Sequence, residues 1–232
     1  MADRLPTKKQ VLRHIAIIMD GNRRWAKEHN LPSLEGHRRV ATSVLEPLIE
    51  HAADFGIEYL TLWAWSTENW GRAKDEVGGI MKLFRWGFGT YGMRMHKKGM
   101  RIRVIGDVSQ FDSDIQKQLR DLIELTKNNT RITVIFALNY GGRDEIVRAI
   151  QKVSRIDTLT PDTFSLFLDT AGIPDPDMIV RPGGEKRLSG FLLWQSQYSE
   201  LYFADWYMPE FTPEKLDEAL VEFAARKRRF GK

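Results

Sequence analysis

Short β-branched runs alternate with longer amphipathic stretches along this chain, and that alternation restricts the fold more than any other feature. Residues 15–19, 59–64, 101–105, 132–137 and 178–180 have the length and side-chain character of strands. Between and after them, residues 40–55, 76–97, 112–127, 143–153 and 213–229 carry apolar residues at helical spacing, and Thr212 before Pro213 makes an N-cap with proline at the first helical position. Strands separated by helix-length segments pair in parallel, with the helices covering the sheet. The expected fold is therefore α/β, a single domain with a mostly parallel central sheet flanked by helices. No repeat or low-complexity linker interrupts the chain, so residues 1–13 are read as an N-terminal extension and 14–232 as one domain.

Composition narrows the function classes. Apolar residues make up 42% of the 232 residues and aromatics 11%, which excludes a disordered chain. Cysteine is absent, which removes disulfides, thiolate nucleophiles and cysteine-ligated zinc together. The net charge of +4 suits an anionic ligand or a membrane face but is too small to argue for nucleic acid. Residues 1–9 lack the apolar core of a secretory signal, and the longest apolar runs fall short of the ~20 residues of a membrane helix. A cytoplasmic protein, at most peripheral at a membrane, is expected.

In parallel sheets ligands bind beyond the carboxyl ends of the strands. Here those ends lead into Asp20-Gly21-Asn22-Arg23-Arg24-Trp25, Trp65-Ser66-Thr67-Glu68-Asn69-Trp70-Gly71-Arg72, Asn139-Tyr140-Gly141-Gly142-Arg143 and Arg181-Pro182-Gly183-Gly184-Glu185-Lys186-Arg187-Leu188-Ser189. Glycine, arginine and amide side chains are the materials of a phosphate site. Asp20 among them suits Mg²⁺ shared with a diphosphate, or else caps a helix beginning near Asn22. Each cluster taken alone has an ordinary structural reading; their coincidence at equivalent strand ends is what core packing does not require. P-loop, serine-hydrolase and zincin signatures are missing, as are the paired aspartates of all-helical prenyl synthases.

The segment from His14 to Ala26, the stretch Ser66-Thr67-Glu68-Asn69-Trp70 and the stretch from Arg181 to Ser189 resemble, in order, the signatures of the cis-prenyltransferases, the bacterial undecaprenyl diphosphate synthase type above all. The resemblance covers nearly the whole chain. It implies a hydrophobic tunnel between sheet and helices, a homodimer, and addition of isopentenyl diphosphate to an allylic diphosphate such as farnesyl diphosphate with cis double bonds. It implies Mg²⁺ at Asp20 with Glu200 as a second acidic residue near it. Gly21, Asn22, Arg23, Arg24, His37 and Arg72 would cradle the allylic diphosphate, and Arg181, Arg187 and Ser189 the isopentenyl diphosphate. Ser66 and Asn69 would lie near the reacting carbons, with Trp25, Trp65 and Trp70 beside the substrates. Ala64 would line the channel near the primer, favouring a product near undecaprenyl length, while the bulk of Trp63, Trp65 and Trp86 would narrow it. Leu45, Leu48, Ile49, Ile80, Phe84 and Phe88 are the expected apolar wall, and Arg229-Phe230-Gly231 resembles an element that reaches a partner subunit.

Four positions depart from the family pattern. Ser33 stands where an arginine is common, Arg23 where glycine is frequent, Lys186 where some members carry histidine, and Trp65 where phenylalanine is usual. Competing readings are a short-chain or irregular synthase, a non-catalytic subunit, and a nucleic-acid module suggested by Arg226-Lys227-Arg228-Arg229, a run more typical of a solvated helix end.

Overall fold

The structure, a computed structural model, describes residues 12–226. Six strands, β1 (His14–Ile18), β2 (Tyr59–Trp63), β3 (Met100–Ile105), β4 (Ile132–Ala137), β5 (Met178–Arg181) and β6 (Glu200–Phe203), form one sheet in the order β3-β4-β2-β1-β5-β6. Every neighbouring pair is parallel. The five expected strands are all present. The sixth, β6, is a four-residue edge strand, half-buried throughout, too short and too polar at Glu200 to stand out as a β-branched run. From β1 the chain crosses to β2 on one side, whereas from β5 it continues to β6 on the other. The carboxyl ends of β1 and β5 thus flank the point where the winding reverses, where such sheets open a crevice.

Side chains alternate between two apolar layers, as the two-residue period of a strand requires. Ile15 and Ile17 of β1 and Val134 and Phe136 of β4 face the larger layer, while Ala16, Ile18, Ile135 and Ala137 face the smaller one. The larger layer is covered by α3 (Leu45–Phe55), α4 (Lys74–Lys97), α5 (Ser113–Thr126) and α8 (Pro213–Ala225). Two short helices, α1 (Asn22–Glu28) and α2 (Ser33–Arg39), follow β1, and α6 (Gly142–Lys152) and α7 (Pro161–Ser165) lie between β4 and β5.

The helix expected over 40–55 is longer and not regular. It runs on from α2 through a π turn at Val40–Val44 into α3, and the N–H of Leu45 bonds to the carbonyl of Val40, five residues back. Pro47 supplies the cause. It has no N–H to offer the carbonyl of Ser43, and its ring crowds that carbonyl, so the preceding turn widens. At the other end of the chain, α8 stops at Ala225 rather than 229: Arg226 is extended and bonds Glu200 and Glu222, while residues 227–229 of the basic run lie outside the described residues.

Five glycines interrupt the 24 residues of α4. Gly79 and Gly92 permit close packing, since a Cβ there would stand 2.8 Å from Leu34 and 2.7 Å from Leu122. Among the described residues a side chain at Gly78 or Gly87 would meet nothing within 4 Å, and at Gly89 only Gln118, at 3.8 Å.

Candidate active site

The reversal point brings Asp20, just past β1, against Arg181, the last residue of β5. Nη2 and Nε of Arg181 both donate to Oδ2 of Asp20, at 2.8 and 3.3 Å. Nη1 of Arg181 donates to Ser189 Oγ at 2.9 Å and to the carbonyl of Arg187. Four of its five N–H groups are thereby used, and only 6% of the side chain is exposed. The other oxygen of Asp20 accepts the N–H of Gly21 at 2.6 Å and lies 3.2 Å from Arg24. Burial works to raise the Asp20 pKa, but the hydrogen bonds from Arg181 and Gly21 and the charges of Arg181 and Arg24 outweigh it and hold the carboxyl below its ordinary value. Gly21 is required here. Its φ is 87°, and a Cβ would stand 2.4 Å from the ring of Tyr207.

Arg24 is anchored by the carbonyl of Gly183 at 2.6 Å and by Glu185 at 3.5 Å, and the second oxygen of Glu185 holds Arg187 at 2.5 Å. One acid therefore ties together arginines from two strand ends. On the opposite side Arg72 bonds Glu76 at 2.7 Å, with Arg23 3.7 Å from the same carboxylate. Three buried polar atoms of the cavity lining have no partner among the described residues: Oδ1 of Asn22, Nε2 of His37 and Nε1 of Trp65. Burial lowers the His37 pKa to about 4, assisted by the positive charges of Arg72 and Arg23, so the ring is neutral at physiological pH. Unpaired buried groups of this kind are preorganised to meet a ligand. Ser66 donates its N–H to Oδ1 of Asn69 at 3.1 Å, and the short turn that they close, Thr67–Gly71, leads into Arg72.

These groups open onto a cavity of about 280 Å³. Its polar mouth is formed by Asp20, Asn22, His37, Ser66, Asn69, Arg72, Arg181 and Ser189, and its wall by Val40, Trp63, Ala64, Trp65, Ile80, Phe84, Phe88 and Phe136. It continues along α4 to Tyr91, Gly92 and Met95. Fifteen residues of helix separate Ile80 from Met95, so at 1.5 Å per residue the wall runs for about 22 Å. A charged mouth with an apolar bore of that length suits an amphiphile with an anionic head.

A sequence model of the putative undecaprenyl diphosphate synthase family matches residues 18–231. The chain belongs to this family. An isoprenyl transferase of Agrobacterium fabrum is 43% identical over 97% of this chain and 94% of that protein. The (2E,6E)-farnesyl-diphosphate-specific ditrans,polycis-undecaprenyl-diphosphate synthase of Micrococcus luteus is 41% identical over 96% and 92%. Among solved structures, lavandulyl diphosphate synthase from Lavandula x intermedia, in complex with dimethylallyl diphosphate, superposes with a TM-score of 0.93 at 32% identity, covering 97% of this chain and 100% of that one. A probable undecaprenyl diphosphate synthase from Campylobacter jejuni gives 0.82 at 34%, covering 96% and 99%. The mostly parallel α/β fold expected of the family is the fold observed.

Within this family member the candidate residues divide into three groups. Asp20, Asn22, His37, Trp65, Ser66, Asn69, Arg72, Arg181 and Ser189 line the cavity, as does Ala64. Gly21, Arg23, Arg24 and Arg187 surround its mouth without forming its wall. The structure does not bring the others in. Trp25 is a core residue stacked on His29 with Arg39 over its face, and Trp70 packs on Trp65 and Phe111 while donating to Asn139 at 2.8 Å. Glu200 pairs in register with Met178, three residues before Arg181, so within the chain it lies about 10 Å from the strand ends that carry Asp20. It is bonded there to Arg226 at 2.9 Å. Leu48 and Ile49 are fully buried core, and Trp86 is 40% exposed, so none of the three shapes the bore, whereas Leu45, Ile80, Phe84 and Phe88 do. Glu76 and Glu185 were not singled out by sequence. Their signals were present: Glu76 stands four residues after Arg72, and Glu185 lies between Arg181 and Arg187.

Proposed function

We propose that this chain condenses isopentenyl diphosphate onto an allylic diphosphate primer, farnesyl diphosphate by preference, with cis double bonds and a product near undecaprenyl length. The observation that carries the reading is the continuity of the cationic mouth with the long apolar bore. The allylic head would meet Asn22, His37, Arg24 and Arg72, and the tail would lie along Ala64, Phe84 and Phe88. Arg187 and Ser189 would receive the isopentenyl diphosphate, while Arg181, four of whose N–H groups are used among the described residues, mainly positions Asp20 and Ser189. As the allylic C–O bond loosens, negative charge grows on the leaving diphosphate, and Arg24 and Arg72 are placed to stabilise it. For Arg72 this means giving up part of its bond to Glu76.

Among the described residues no three His, Cys, Asp or Glu side chains gather as a metal cage. One ionised, partly exposed carboxylate at a phosphate site nevertheless fits Mg²⁺, which typically takes one or two carboxylates and fills its octahedron with phosphate oxygens and water. Asp20 would hold it, and the ion would supply further charge neutralisation to the leaving diphosphate. A homodimer and a peripheral membrane contact for releasing a greasy product complete the proposal. Among the described residues no helix is long and apolar enough to cross a membrane.

The test is incorporation of labelled isopentenyl diphosphate by the purified protein with farnesyl diphosphate, with and without Mg²⁺, and chromatographic sizing of the products. Metal-dependent elongation through many additions, lost in Asp20→Asn, is the expected result. Lack of incorporation by the parent protein, or near-normal turnover by the variant, contradicts the reading. The close superposition on a lavandulyl diphosphate synthase supports a second reading, a single coupling of short units; a product that stops after one coupling would favour it.

A further inference from the structure

The bore is apolar along its length but not at its far end. Glu46, the second residue of α3, stands in the wall near Tyr91, Met95 and Leu122, with 12% of its side chain exposed. Each of its oxygens is taken by a cation from the end of α4: Arg94 at 2.7 Å and Lys98 at 2.6 Å. Lys98 also bonds Glu50, one turn further along α3. The guanidinium of Arg94 lies over the ring of Tyr91, 4.9 Å from its centroid, and the Tyr91 hydroxyl donates to the carbonyl of Thr42 in the π turn at 2.9 Å. Four charges and an aromatic ring thus lace α3 to the end of α4 at the far end of the cavity.

An ordinary surface salt bridge would carry no consequence, and the outer half of this cluster is of that kind, since 53% of the Arg94 side chain is exposed. Glu46 differs because its carboxylate belongs to the cavity wall. A hydrocarbon tail that reached it would either strip the remaining water from a carboxylate and two cations or separate them. Both are unfavourable, because burial of imperfectly paired charge outweighs the burial of a few apolar carbons. We infer that the ion pairs of Glu46 with Arg94 and Lys98 are the stop that sets product length: the tail grows freely along the phenylalanine-lined bore and halts when its end meets Glu46. Ala64 governs the bore near the head, and Glu46 governs where it ends. This inference rests on the elongating reading above.

Product profiles of the parent, Glu46→Gln and Glu46→Leu test it, using farnesyl diphosphate, labelled isopentenyl diphosphate and Mg²⁺. Gln keeps the volume and removes the charge; Leu also makes the end apolar. Both variants should shift the distribution to longer products, with the rate of the first addition and the KM of both substrates unchanged, because Glu46 is remote from the head. Unchanged product length in both folded variants overturns the inference. Lengthening by Leu but not by Gln overturns it too, since polarity and not the charge would then be the stop. Circular dichroism and melting report the fold, and Glu46→Gln decides the matter if the Leu variant is unfolded. If the parent itself fails to elongate, the elongating reading fails rather than the role of Glu46.

Discussion

Replacing Arg181 by alanine removes a guanidinium that is 6% exposed and satisfied by Asp20, Ser189 and the carbonyl of Arg187. Breaking a buried ion pair by deleting one partner typically destabilises by about 3–5 kcal/mol. The lower end applies here, because Asp20 is 28% exposed and keeps the Gly21 N–H and Arg24 as partners. A loss of about 3 kcal/mol in a domain of this size lowers the melting temperature by about 6–12 °C. Asp20→Ala strands the more buried partner and should cost at least as much, so Asp20 serves the architecture as well as the chemistry. The double variant should recover part of the sum, with a coupling energy of about 2 kcal/mol, within the usual range for contacting residues. Urea unfolding of all four proteins at neutral pH measures this directly. The pair also predicts an acid limb. A depressed Asp20 contributes stability that is present above its unfolded pKa and lost as pH falls through the folded value, and Arg181→Ala should flatten that limb. Additive single losses, within about 0.5 kcal/mol, would mean that the two residues are uncoupled and that the mouth is organised by something else.

Two further outcomes are expected. Ala64→Leu adds bulk to the bore beside Trp63 and Trp65, so it should shorten the products while sparing the first addition, at about 1–3 kcal/mol of stability from overpacking; an unchanged product profile would show that the tail runs elsewhere. Burial lowers the pKa of His14, held between Thr61 Oγ1 at 2.7 Å and the carbonyl of Pro174 at 2.6 Å, to about 4 from 6.5. The unfolded chain then binds a proton below pH 6.5 that the folded chain refuses until about 4, so stability is fully present above 6.5 and falls by about 3 kcal/mol towards pH 4. His37 adds to the same window, so His14→Gln should reduce the slope of unfolding midpoint against pH without abolishing it; an unaltered slope would refute the account.

The parallel sheet was legible because its strands are β-branched runs buried on both faces, as in β1, where all five residues are buried. Asp20, Arg181 and Ser189 were legible for a related reason: once strands are located, their carboxyl ends converge at the reversal of winding. The place of Glu200 was not legible, because an acidic residue in a motif says nothing about which end of a strand it occupies; the register with Met178 puts it at the amino end of β6, away from Asp20 within the chain. The packing of Trp25 and Trp70 was not legible, because proximity in sequence to a charged motif does not say which way an indole turns. The π turn was hidden in plain view at Pro47, whose missing N–H acts on residues four to seven positions earlier rather than on its own neighbourhood. The charged far end of the bore could not be read at all, since it depends on Glu46 and Lys98, 52 residues apart, meeting across two helices.

The glycines of α4 bear on how this wall behaves in time. Each glycine in a helix interior costs about 1 kcal/mol relative to alanine, so five of them leave the segment about 5 kcal/mol short of what its length would otherwise provide. Packing compensates at Gly79 and Gly92, but among the described residues no contact compensates at Gly78 or Gly87. The element that encloses the bore is therefore held by its neighbours rather than by its own backbone, and it should open well below the free energy that unfolds the sheet. In a hydrogen-exchange experiment its amides would exchange faster than those of β1 and β4, which exchange only with global unfolding. A side wall that yields while the floor stays rigid gives a water-insoluble product a sideways route out, with no need to pass back through the charged mouth.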